Sequence, residues 1–161
     1  MDHSPPTTAR TMRHEVVANT LLIVHGPLAV DDAEWTSYCD ESATLSCGGA
    51  LVVVDRSSPG PNARQRAQLA ECIARRGSHP QVAVIAASAA HRGIVTVMNW
   101  LQKGSVKAYS PARLSEALSY ASVAPSARAL VLRRVHELAV DLNSSWIVQA
   151  IAIEPTIETH P

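Results

Sequence analysis

Ala50-Leu51-Val52-Val53-Val54-Asp55-Arg56-Ser57-Ser58-Pro59-Gly60 is the stretch on which the reading of the chain turns. A dense apolar run stops at an acid, an arginine, two hydroxyls, a proline and a glycine. That is the pattern of a strand buried on both faces that surfaces at a loop. Open α/β sheets place their chemistry on loops leaving the carboxyl ends of strands. The stretch is therefore the expected centre of the fold and its expected working end.

Downstream, Asn62 is predicted to cap a helix, with Gln65 at capping-box spacing. Ala63, Ala67, Ala70 and Ala74 share one helical face, with Leu69 and Ile73 beside them, and are expected to lie close on the sheet. Arg75 and Arg76 suit the negative end of that helix, and Gly77 ends it. Residues 81–87 form another continuous apolar run. Ser88 starts a predicted helix carrying Ile94, Val97, Met98 and Leu101 at helical spacing. Residues 105–109 give a short strand, and Ser110-Pro111 opens a helix with Leu114, Ala117, Leu118 and Ala121 inward. Strand and helix thus alternate three times between residues 50 and 121, which predicts a mostly parallel sheet with right-handed crossovers.

Upstream, residues 1–13 read as a flexible lead-in, and residues 15–24 as a hairpin or one strand and its approach. His25-Gly26-Pro27 ends that strand. Asp31 caps a short helix with Glu34 three residues on and Trp35, Tyr38 and Cys39 inward. Past the joint at Pro125, residues 126–142 form an amphipathic helix, 143–145 a turn, and Trp146–Ile153 an expected last strand. The division is a lead-in (1–13), an α/β domain (14–123) and a helix–strand extension (124–161). Because the extension follows a completed repeating unit, Val131, Val135, Leu138, Trp146 and Ile151 are expected at an oligomer interface.

Of the 161 residues, 47% are hydrophobic and 17% charged, against roughly 25% charged in an average domain. Fourteen basic and fourteen acidic side chains balance, with a pI near 7.1, which argues against nucleic-acid binding. No apolar run approaches the roughly 18 residues of a membrane helix. A cytoplasmic protein with no membrane insertion is expected. Cys39, Cys47 and Cys72 show no metal spacing, so packed free thiols and no metal or cofactor are expected. Nucleotide-binding glycine loops and a G-x-S-x-G elbow are absent from the sequence, which points away from an enzyme.

Three segments carry a family resemblance. Leu21–Leu28, Val52–Ser58 and Ala90–Leu101, the last continuing through Val106–Tyr109 and the Ser110 helix, resemble the STAS domain of anti-sigma-factor antagonists, including its SpoIIAA-like variants. The resemblance covers roughly residues 15–122 and implies a STAS-like α/β fold and a regulatory module that binds a protein partner, a kinase or an anti-sigma-like protein. In the family a loop serine is phosphorylated. Asp55 matches the acid of that motif, Arg56 stands at the usual serine position, and Ser57 follows one place later. Ser57 and Ser58 are the phosphorylation candidates; Asp55, Arg56, Ser57, Ser58, Gly60 and Asn62 form the expected contact patch. Beside this stand three other readings: turn chemistry for Asp55, Ser57 and Ser58; a Sec14-like pocket for a small apolar or anionic ligand; and a homo-oligomeric scaffold. A degenerate receiver domain built on Asp31, Asp32, Asp55, Ser88 and Lys107 ranks lower, since the two early acids lie past Gly26-Pro27. For His91-Arg92-Gly93, ordinary solvent-facing polarity is the expected reading, ahead of an anion grip at a helix start.

Overall fold

The computed structural model describes residues 9–76, 80–89, 92 and 105–151. It begins with a hairpin, one of the two arrangements the sequence allowed, made of β1 (Met12–Val17) and β2 (Thr20–His25), paired antiparallel so that Val17 faces Thr20. Met12 and Arg13, expected in the flexible lead-in, belong to β1 because they pair with His25 and Val24. Ala18 and Asn19 make the two-residue turn with φ of 47° and 63°. Two positive φ values give a twist that matches that of the strands. Then follow α1 (Asp32–Thr44), β3 (Gly49–Val54), α2 (Ala63–Arg76), β4 (Gln81–Ala86) and β5 (Val106–Tyr109). The sheet order is β1-β2-β3-β4-β5, with every pair after the first parallel. This is the α/β, mostly parallel mixed sheet that the alternation predicted.

Both faces of the sheet are covered, which is why its central strands read as unbroken apolar runs. Leu21, Ile23 and Ala50 pack with Trp35, Tyr38 and Cys39 of α1 and Cys72 of α2. Leu22, Val24, Leu51, Val53, Ala83 and Ile85 point the other way. They meet α3 (Leu114–Tyr120), α4 (Arg128–Asp141) and α5 (Ser145–Ala150).

Several expectations are corrected. Ala63, Ala67, Ala70 and Ala74 face solvent, while Gln65 and Cys72 are buried and Leu69 and Ile73 half-buried. Burying Leu and Ile removes more apolar surface from water than burying Ala, so α2 turns its larger side chains inward. Trp146–Ala150, expected in a strand, lies in the helix α5, and residues 152–161 fall outside the described residues. Val131, Val135, Leu138 and Ile151 are at most 2% exposed inside the chain's own core, and Trp146 packs against it. Val131, Val135, Leu138 and Ile151 thus belong to the sheet's second layer and are not a surface for another copy, while Trp146 stays half-buried at its margin. The core continues across the expected boundary at residue 123.

On α4, the Arg134 guanidinium holds both carboxyl oxygens of Glu15 on β1, at 2.7 and 2.9 Å. Among the described residues no helix is long and apolar enough to cross a membrane. The expected helix bearing Ile94, Val97, Met98 and Leu101 lies outside the described residues, as do His91, Gly93 and Trp100. Arg92 is described, and its guanidinium donates to the carbonyls of Ala86 and Ala87 at the end of β4.

The cysteines sit as packed thiols. Cys39 and Cys72 are buried, and Cys47 is intermediate. Burial, and after it the neighbouring Cys72, pushes the Cys39 thiol up to about 12. Because the thiolate is the reactive form, a colorimetric disulfide reagent is expected to modify Cys47 quickly in the folded protein and all three thiols only after denaturation. Three fast thiols in the native state would contradict this packing.

Candidate functional site

The loop at the carboxyl end of β3 is held from within. Asp55 is only 3% exposed. Its Oδ1 accepts from the Ser57 backbone N–H at 2.7 Å, and its backbone carbonyl accepts from Ser58 N–H at 3.0 Å. Its own N–H donates to the His25 carbonyl at the end of β2. The second carboxyl oxygen, Oδ2, accepts from the Ser144 hydroxyl, 89 residues away in sequence.

Ser144 is positioned by the end of α4. Asn143 takes a positive φ of 54°, its N–H donates to Val140, and Ser144 N–H donates back to Ala139. That pair of bonds is a Schellman closure, and asparagine tolerates the left-handed position it needs. The same Ser144 then caps α5, its hydroxyl oxygen accepting from Ile147 N–H at 3.3 Å. One buried hydroxyl thus joins the α4–α5 corner to the β3–α2 loop.

Ser58 is also internal, 2% exposed, with its hydroxyl oxygen accepting from Gly60 N–H at 3.1 Å. Gly60 has a φ of +70°, which glycine adopts without penalty. Asn62 and Gln65 form a full capping box, each side chain accepting from the other's backbone N–H at 2.9 Å. Gln65 goes further. Its side-chain amide donates to the Val30 carbonyl and Asp32, and its backbone carbonyl accepts from the Trp35 indole N–H, locking α1 to α2.

The expected patch therefore divides. Arg56, Ser57, Pro59 and Asn62 are exposed, with the Asn62 side chain engaged in its cap, and Gly60 is half-buried. Asp55 and Ser58 are withdrawn from the contact surface, and Ser58 is withdrawn as a phosphorylation candidate, because each is sealed by the turn it builds. The receiver-type arrangement is not assembled either. Asp31 caps α1, Asp32 receives Gln65, and Asp55 is bonded to Ser144. Lys107 pairs with Ala83, three residues short of the end of β4, and its ammonium sits 4.6 Å over the Tyr120 ring.

Beneath the loop, on the α1–α2 face, lies a cavity of about 130 Å³. Trp35 and Ile73 form walls from the helices, Val52 and Val54 the floor from the sheet, and Pro59 and Pro61 the rim. His25, at the carboxyl end of β2, also lines it. Its ring is 3% exposed, 6.1 Å from the Trp35 ring, and its Nδ1 has no hydrogen-bond partner. Sequence reading noted His25 only as a strand end. The one signal available was its place, at a strand terminus beside the working loop.

Burial lowers the His25 imidazole from 6.5 to about 4. In that interval the unfolded chain binds more protons than the folded one. Stability is therefore complete above the unfolded value and is lost as pH falls towards the folded one, with a slope approaching about 1.4 kcal/mol per pH unit. Urea melts between about pH 7 and about pH 5 are expected to show this extra slope in the wild type and not in His25→Phe. Equal slopes in the two proteins would remove His25 as its source.

Comparison with known family models, with curated proteins and with solved structures finds no match to this chain, so the site's chemistry is argued from its own residues.

Proposed function

We propose that the chain is a non-enzymatic, STAS-like regulatory module of the cytoplasm that binds a protein partner through Arg56 and Ser57, with Ser57 the hydroxyl a partner kinase modifies. The observation that carries this reading is the division of the loop: Asp55 and Ser58 are buried and bonded, while Arg56 and Ser57 are exposed between them. A loop braced from below presents its exposed side chains at little ordering cost on binding. Phosphate on Ser57 would add close to two negative charges at a point next to Arg56, and so would reverse the local charge that a partner meets. The non-enzymatic reading is supported by Asp55, the loop's one acid, whose two carboxyl oxygens are both engaged inside the fold.

The test is cross-linked capture from the native source with wild-type, Arg56→Glu and Ser57→Asp baits, together with mapping of phosphate on the wild type. Both variants are expected to stay within about 0.5 kcal/mol of wild-type stability, since each changes an exposed side chain. A specific partner, recovered with the wild type and lost at least about tenfold from either variant, is the expected result, a loss of about 1.4 kcal/mol in binding. Undiminished recovery with both variants would overturn the proposal.

A further inference from the structure

We infer that the cavity beneath Pro59–Pro61 is a binding site for a small uncharged molecule, an apolar body of about one ring carrying a single hydroxyl that meets His25. The inference does not depend on the partner-binding reading.

Three observations carry it. The first is size and lining. The cavity measures about 130 Å³, close to the roughly 150 Å³ apolar cavity known to hold benzene. Among the described lining residues, all are apolar or aromatic except His25, and none is an acid, a lysine or an arginine. An ionic ligand would lose its hydration there without gaining a counter-charge. That selects an uncharged molecule and sets aside the anionic ligand class weighed from the sequence.

The second is the unused polar atom. His25 is 3% exposed, yet its Nδ1 bonds nothing. Buried polar atoms are almost always paired, and the exceptions concentrate where a site requires them. The lowered imidazole stays neutral at ordinary pH, so one ring nitrogen donates and the other accepts. A hydroxyl can serve either tautomer, since it both donates and accepts.

The third is place. Pro59, Gly60 and Pro61 line the cavity, and they belong to the same loop that exposes Arg56 and Ser57.

Phenol and toluene are suitable probes, being matched in size and differing in the hydroxyl. They would be titrated into the full-length chain and followed by amide chemical shifts of the lining residues, with benzoate as the charged comparison. Saturable binding is expected for both neutral probes. Phenol should bind about tenfold tighter, as one hydrogen bond to a neutral group provides, and benzoate should not bind. His25→Phe should abolish the preference for phenol. Ile73→Trp, at a half-buried wall position, should fill the space and abolish both. Equal affinity for phenol and toluene in the wild type would overturn the hydroxyl class. Absence of saturable binding, or phenol binding that survives Ile73→Trp, would overturn the site, and these two outcomes remain decisive even if His25→Phe fails to fold.

Discussion

Gly49→Ala is expected to cost at least about 3 kcal/mol and to lower the melting temperature by roughly 6–12 °C. Gly49 opens β3, and parallel partners pair with it on both sides, Thr20 and Gln81. A Cβ there would lie 2.2 Å from the Ala121 carbonyl oxygen and 2.8 Å from its carbon. Neither side can yield. The strand is central in the sheet, and Ala121 stands at the end of α3, where Ser122 takes a φ of 60° and Val123 N–H closes back on Leu118. The neighbouring Gly48→Ala is the control. Its Cβ would meet the Asn19 side-chain amide at 2.8 Å, the mobile end of an exposed residue. That variant should fall within about 1 kcal/mol of wild type. Urea unfolding of the two proteins decides the matter, and equal stabilities would mean that β3 and the end of α3 do not approach as closely as described.

The second large effect is expected from Asp55→Ala, at roughly 3–4 kcal/mol. Removing the carboxyl leaves the Ser144 hydroxyl and the Ser57 N–H without their acceptor, and Ser144 is 1% exposed, so water does not replace it. Ser144→Ala removes one of the two bonds and part of the α5 cap, and is expected to cost roughly 1–2 kcal/mol. The two changes should be non-additive by at least about 0.5 kcal/mol in a double-mutant cycle, since they share one contact. Strict additivity would show that the loop and the α4–α5 corner are energetically separate. Under the proposed function the same pair of variants matters for binding, because an Arg56–Ser57 segment released from Asp55 must be ordered again by its partner.

Much of the architecture could be read from local pattern. The apolar runs at 49–54 and 81–86 announce strands buried on both faces, and their alternation with capped helices implies a parallel sheet. Asp31 caps α1 as its spacing suggests, although Glu34 does not complete the box. Its carboxyl instead accepts from the Thr11 hydroxyl and from the N–H groups of Thr11 and Met12. A cap signal is local, but the choice of partner for a flexible acid depends on which strand has come alongside.

The misread elements fail for related reasons. Ala63, Ala67, Ala70 and Ala74 make a regular stripe, yet the stripe that is buried is set by area, and Leu69, Ile73 and Cys72 outweigh them once a sheet is present. The apolar residues after Ser145 are too few to display a period, so helix and strand cannot be told apart there. The Schellman turn at Asn143, the Ser144 cap and the burial of Ile147 and Ile151 against the sheet select the helix.

What the sequence by itself determined is the place of the central parallel strands, most helix starts, the α/β class and the loop at the end of β3, all written in hydrophobic period and capping chemistry over a few residues. What only the tertiary structure decided is which loop residues are available and what lies under them. Asp55 finds Ser144 across 89 residues, and His25 is brought to the wall of an apolar cavity built from α1, α2 and the sheet. Burial and hydrogen-bond partnership are properties of distant segments brought together, and no local pattern encodes them.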